Sequence, residues 1–106
     1  PLSDWWRLEA RLRKEKNFHA TINDIVRISG RSYATLQRQS LKEFGMAPMQ
    51  RMRVMRMDES KGLLRFSDLS LTSIAKELGY LDLATFSREF FRVHKTSPSH
   101  WRKSNR

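Results

Sequence analysis

The sequence predicts an all-α fold of seven helices, arranged as two helix-turn-helix units joined by one long helix. Three observations carry that prediction. Apolar residues recur at three- and four-residue spacing along nearly the whole chain, while alternating apolar–polar runs are hard to find. Four glycines and three prolines in 106 residues leave little room for long loops or many tight turns. One helical pattern occurs twice, at an offset of 49 to 50 residues.

The first helix begins after Ser3 or Asp4, either of which can cap it, carries Trp5, Leu8 and Leu12 on one face and stops near Phe18. The second begins at Thr21, with Asp24 at the capping-box distance. It carries Ile22, Ile25, Val26 and Ile28, and Gly30 supplies the left-handed residue that closes it. The third opens at Ser32 and runs through Leu36 and Leu41 to Phe44, with Gly45 as its stop. The fourth starts around Ala47-Pro48, where proline suits a first turn, and continues to about Leu64. Its apolar face uses Met52, Met55 and Leu63, with Met57 and Leu64 close by, and Arg65 to Leu69 form a connector. The fifth starts at Ser70, bears Leu71, Ile74, Ala75 and Leu78, and ends at Gly79. The sixth opens at Asp82 and bears Phe86 and Phe90; the seventh opens at Ser97-Pro98 with Trp101 as its anchor.

The repeat organises these elements. Ile25-Val26…Gly30 matches Ile74-Ala75…Gly79, and Ser32…Leu36…Gly45…Pro48 matches Asp82…Phe86…Lys95…Pro98. Each copy is a helix, a tight turn with glycine, a capped second helix and a proline-started third, which is the helix-turn-helix pattern. Residues 1–20 then form an N-terminal helix packing on the first unit, 21–46 the first unit, 47–66 a linker helix, and 67–106 the second unit with its C-terminal helix.

Composition narrows the chemistry. Twenty-one Lys+Arg against eleven Asp+Glu give a net charge of +10, which makes a polyanion the default partner. The excess is heaviest at residues 92–106, yet no solid basic block occurs, which favours a folded basic surface over a disordered tail. No apolar run is long enough to span a membrane, and no signal peptide is visible. The absence of cysteine excludes a disulfide framework, a thiolate metal site and a cysteine nucleophile. These features suggest a cytoplasmic setting. His19, His94 and His100 have no partner at metal-binding spacing, and no catalytic or phosphate-loop motif occurs, so neither an enzyme nor a cofactor is expected. The five methionines between 46 and 57 fall at core spacing. Trp5 and Trp6 are adjacent, so only one is expected in the core, the other packing against a missing upstream domain.

The runs INDIVRISGRSYATLQRQSLKEFG, IAKELGY, DLATFSREFF and SPSHWR resemble the DNA-binding domain of the AraC/XylS family of bacterial transcription regulators, over about residues 21 to 103. Arg56 and the Leu63-Leu64 pair sit where that family's linker helix has them. Three residues depart from the pattern. Ser40 replaces a buried Phe, with Leu41 expected to fill part of the space. Lys95 replaces a glycine, so either the turn takes another geometry or the lysine is kept because it faces phosphate. Ser60 replaces a small apolar residue.

The resemblance implies a homeodomain-like, AraC-type architecture that binds double-stranded DNA. It also implies the C-terminal part of a longer regulator, with an effector or dimerisation domain elsewhere and RNA polymerase as a further partner. Helical spacing puts Ala34, Gln37 and Arg38 on the outer face of the third helix, where the family has its base-reading positions. Gln pairs with adenine N6/N7, Arg with guanine O6/N7, and a short apolar side chain meets a thymine methyl. The matching positions in the second unit are Leu83, Ala84, Ser87 and Arg88. Only two of these can hydrogen-bond, so the first unit is expected to discriminate bases more sharply. Phosphate contacts are expected from Arg31, Ser32, Tyr33, Thr35 and Lys42, and from Thr72, Thr85, Arg92, Lys95 and Ser97. Asp82 is expected to be a cap. A linker of about 27 Å would set the two readers in successive major grooves, about 34 Å apart. The rival readings are a nonspecific nucleic-acid binder and a protein-interaction module using the Met-rich helix and the Trp pair.

Overall fold

A computed structural model describes residues 4–106; the proposed Ser3 cap lies outside them. Among the described residues there are seven helices and no strand: α1 (Asp4–Lys14), α2 (Ile22–Ser29), α3 (Tyr33–Phe44), α4 (Pro48–Phe66), α5 (Leu71–Glu77), α6 (Leu83–His94) and α7 (Pro98–Ser104). The chain divides into two compact units, Pro1–Met55 and Arg56–Arg106.

Local chemistry sets the boundaries. Thr21 caps α2 in a reciprocal capping box: its side chain accepts from the Asp24 N–H at 3.1 Å, while the Asp24 carboxylate accepts from the Thr21 N–H at 2.9 Å. Hydrogen bonding to the Asp24 carboxylate from Thr21, by the backbone N–H first and the side chain second, holds that carboxyl below its usual range. Ser32, Ser70, Asp82 and Ser97 cap α3, α5, α6 and α7, each side chain accepting from a first-turn N–H. The expected stop of α1 near Phe18 is corrected. The helix ends at Lys14, and Lys16 turns the chain at φ 56° without a glycine to announce it. The expected connector also shortens, since Arg65 and Phe66 complete α4.

The core of the first unit is Trp5, Leu8 and Leu12 from α1, Phe18, Ala20, Ile25, Leu36, and Met52 and Met55 from α4. Trp5 is buried and Trp6 is 42% exposed, as their adjacency requires, yet both rings meet Phe44 edge-on at 6.1 and 6.2 Å. The Arg51 guanidinium covers the same ring at 4.0 Å. Within this core lies Glu9, 1% exposed, which accepts from the Trp5 indole at 2.6 Å and from Arg51 Nε and Nη2 at 2.6 and 2.9 Å. A buried carboxylate needs such compensation, because desolvation would otherwise expel it.

The core of the second unit is Met57, Leu64, Ile74, Ala75, Leu78, Tyr80, Phe86 and Phe90. Its rings form a chain: Tyr80 to Phe86 at 5.3 Å, Phe86 to Phe90 at 5.9 Å, Phe90 to His94 at 4.6 Å and Phe90 to Trp101 at 6.3 Å. Arg56 donates to Glu89 at 3.0 Å from Nη2, tying α4 to α6. Burial and the Glu89 carboxylate push the Tyr80 phenol well above its usual range. The carbonyl end of α4 is closed by α7 and the chain beyond it. Arg102 donates to Leu64 O at 2.9 Å, and Arg106 to Leu64 O at 3.1 Å and to Ser67 O.

The departures resolve in physical terms. Leu41 does not fill the space at Ser40; it is 50% exposed. Ser40 itself is fully buried and satisfies its hydroxyl by donating to Met46 O at 2.7 Å. Lys95 does not change the turn. It adopts φ 61° and ψ 23°, and its N–H donates to Phe91 O, as Gly45 at φ 69° does to Leu41 O. Ser60 is buried and donates to Met57 O at 2.7 Å.

Candidate nucleic-acid interface

Each unit presents one face of its second helix to solvent. In α3, Leu36 and Ser40 point inward at four-residue spacing, which fixes the rotation of the helix. Ala34, Gln37 and Arg38 then share the outer side, with Ala34 and Arg38 exposed and Gln37 half-buried. These three line one shallow groove together with Leu41. In α6, Phe86 and Phe90 play the inward role. Ser87 and Arg88 line the equivalent groove with Phe91, Arg92 and Ser97. Leu83 is half-buried and Ala84 exposed at the start of the helix, outside the residues lining that groove. The two grooves share three positions, 37 with 87, 38 with 88 and 41 with 91, at the 50-residue offset of the repeat.

The candidate phosphate ligands divide by what their polar atoms already do. Tyr33, Lys42, Thr72, Arg92 and Lys95 are exposed. Ser32 and Ser97 are also exposed, but their hydroxyls serve as caps, accepting from the N–H of Thr35 and of His100 at 3.2 and 3.1 Å. The Thr35 hydroxyl accepts from Ser32 Oγ at 3.0 Å. Thr85 donates its N–H to Asp82 at 2.8 Å, and its hydroxyl lies 3.4 Å from Arg88 Nη2. Arg31 is half-buried and reaches across to Gln39 Oε1 at 3.0 Å. Asp82 is the expected cap, and hydrogen bonds from Thr85, side chain first and backbone second, hold its carboxyl below the usual range.

Sequence reasoning missed Leu41, which it turned inward, and Phe91, to which it gave no role. The signal was available: 34, 37, 38 and 41 stand at i, i+3, i+4 and i+7 of one helical face, and 91 follows from the repeat. Among the described residues no group of His, Asp and Glu could hold a metal ion, and no helix is long and apolar enough to cross a membrane.

Comparison with known proteins places this architecture. The helix-turn-helix domain family matches residues 25–104. The raffinose operon transcriptional regulatory protein RafR of Pediococcus pentosaceus is 40% identical over 58 residues, 55% of this chain and 21% of its own length. The transcriptional activator RhaS of Shigella boydii serotype 18 is 36% identical over 67 residues, 63% of this chain and 24% of its own. The chain thus spans under a quarter of these relatives. The DNA-binding domain of AdpA, solved in complex with a target DNA, superposes with a TM-score of 0.81 at 20% identity, covering 97% of this chain and 93% of that one. Two helix-turn-helix copies and a family match over the stretch that carries the IAKELGY and SPSHWR runs lead to one assignment: the chain belongs to the AraC/XylS family of helix-turn-helix DNA-binding domains.

Proposed function

We propose that the chain reads duplex DNA by sequence through two units, α3 and α6 each entering a major groove, as the DNA-binding part of a bacterial transcription regulator. The carrying observation is the recurrence of one uncovered face, with an exposed arginine at its centre, on α3 at Arg38 and on α6 at Arg88. Within that reading, residues 21–46 and 67–106 act as the two binding units and 47–66 as the strut between them. Ala34, Gln37 and Arg38 meet bases in one groove; Leu83, Ala84, Ser87 and Arg88 meet them in the other. Tyr33, Lys42, Thr72, Arg92 and Lys95 hold phosphates with their side chains. Ser32, Thr35, Thr85 and Ser97 offer the first-turn N–H groups that their caps organise, and Arg31 flanks the first unit.

The likeness to the AdpA domain, which was solved in complex with a target DNA, supports DNA as the partner, and the relatives' names support a role in transcriptional control. The whole regulator acts in the cytoplasm as an activator that also engages RNA polymerase; it performs no catalysis, and an effector or dimerisation domain accompanies it. The rival protein-interaction reading has less surface than the sequence offered it: Met52, Met55, Met57 and Trp5 are core, which leaves Met49 and Trp6 as its exposed members.

The test is selection of bound duplexes from a random library, followed by affinity measurements at fixed salt. Arg38→Ala is expected to lose about 1–3 kcal/mol of discrimination at one position, and systematic base changes under α3 to cost more than those under α6. Equal affinity for unrelated sequences would defeat the proposal of sequence-specific reading. Equal losses under both helices would defeat the asymmetry alone.

A further inference from the structure

We infer that Leu41 and Phe91 are a second pair of DNA-reading residues, each placing an apolar surface against a thymine methyl beside the base met by its neighbouring arginine. The inference rests on the DNA-binding reading above and adds to it the chemistry of one further contact per unit. Leu41 is 50% exposed and Phe91 56% exposed. A single exposed apolar side chain is ordinary on a protein surface. Here the exposure recurs at the same register of both copies, since 41 and 91 differ by the repeat offset of 50.

Neither residue is needed by its own core. The inward positions of α3 are Leu36 and Ser40, and those of α6 are Phe86 and Phe90. Both exposed residues instead line the shallow groove of the reading face, Leu41 with Ala34, Gln37 and Arg38, and Phe91 with Ser87, Arg88 and Arg92. Cations therefore flank each apolar centre: Arg38 and Lys42 about Leu41, Arg88 and Arg92 about Phe91. Such a rim opposes a purely apolar partner and suits a polyanion. In the major groove, the thymine C5-methyl is the apolar feature that a side chain can meet. Positions 41 and 91 stand about one helical turn beyond 37 and 38, or 87 and 88, a rise of roughly 5.4 Å. That is between one and two nucleotide steps at about 3.4 Å each, so a neighbouring base lies within reach when the helix lies along the groove.

The test uses this chain and duplexes that it selects from a random library. Each thymine is replaced singly by deoxyuridine, which deletes only the methyl group, and dissociation constants are measured by fluorescence anisotropy at fixed salt. For the parent chain, at least one replacement under each reader is expected to weaken binding about fourfold, the transfer value of one buried carbon. The penalty under α3 should vanish in Leu41→Ala and that under α6 in Phe91→Ala. The dependence of affinity on salt should stay unchanged in both, because no phosphate contact is removed. Melting temperatures within about 4 °C of the parent would show that the exposed substitutions leave the fold intact. Deoxyuridine penalties that are absent, or that persist in both variants, overturn the inference. Arg38→Ala on the same duplexes separates the two levels. If it relaxes specificity while Leu41→Ala and Phe91→Ala leave every methyl penalty intact, the DNA reading stands and the apolar contact falls. If it changes nothing, both fall.

Discussion

Replacing Lys95 by glycine should make the protein more stable and a weaker DNA binder at once. Lys95 ends α6 at φ 61°, in the left-handed region where its Cβ crowds the following carbonyl. That conformation costs a non-glycine residue about 1–2 kcal/mol. Glycine would recover this, but it also enlarges the conformational freedom of the unfolded chain, which offsets about 0.4–1 kcal/mol. The net gain is about 0.5–1 kcal/mol, or a rise of roughly 2–8 °C in Tm for a chain of this size. The same change removes an exposed cation from the C-terminal end of the reading helix. If that cation holds a phosphate, a plot of log affinity against log salt should become shallower by about 0.9. Thermal melting followed by circular dichroism, and anisotropy titrations across a salt series, read the two effects separately. Lys95→Asn tolerates the left-handed backbone better than lysine and should reproduce the salt effect with a smaller gain in Tm. Lys16→Gly, at φ 56° after α1, should bring the gain in Tm without the salt effect. A Lys95→Gly protein that melts at or below the parent would refute the strain argument. An unchanged salt slope would refute the phosphate contact.

Two further outcomes are expected. Glu9→Ala strands the Trp5 indole N–H and the Arg51 guanidinium in a carboxylate-sized gap and should cost about 3–5 kcal/mol, a large part of the stability of a small domain; urea denaturation showing less than about 1 kcal/mol would mean that the buried pair matters little. His94 is held below the ordinary histidine value of 6.5 by burial first and by the nearby Lys61 charge second, with Asp58 acting in the opposite sense. The unfolded chain then takes up the proton more readily than the folded one, so His94 favours folding fully above about pH 6.5 and that contribution is lost as pH falls below it. The drop in Tm between pH 8 and pH 5 should therefore be smaller in His94→Gln than in the parent.

Much of the architecture was legible because its determinants are local. Thr21, Ser32, Ser70, Asp82 and Ser97 cap their helices through their own side chains, and each cap could be placed from a few neighbouring residues. The end of α1 was not legible, because Lys16 turns left-handed without the glycine or proline that marks such a turn. Leu41 was misplaced for a different reason. Hydrophobicity suggested an inward residue, but Leu36 and Ser40 already occupy the inward stripe, and the next residue is rotated about 100° away. Ser40 shows the converse, a polar residue that is buried because its hydroxyl finds Met46 O. Glu9 is buried beside Trp5 by an arginine 42 positions later, and no local pattern announces a partner at that separation. The outer faces of α3 and α6, by contrast, follow from helical spacing and the repeat, so the placing of Ala34, Gln37 and Arg38 on one and of Ser87 and Arg88 on the other was within reach of the sequence.

The serine at position 40 stands where the second copy has Phe90, and the two copies compensate differently. The second fills its interior with its own rings, Tyr80, Phe86, Phe90 and Trp101. The first lacks that bulk and borrows Trp5, Leu8 and Leu12 from α1. Fraying of α1 should therefore loosen α3, whose interior it completes. Amide exchange in α3 is then expected to quicken whenever the N-terminal helix peels away, so the protection of this helix reports on an element outside its own repeat.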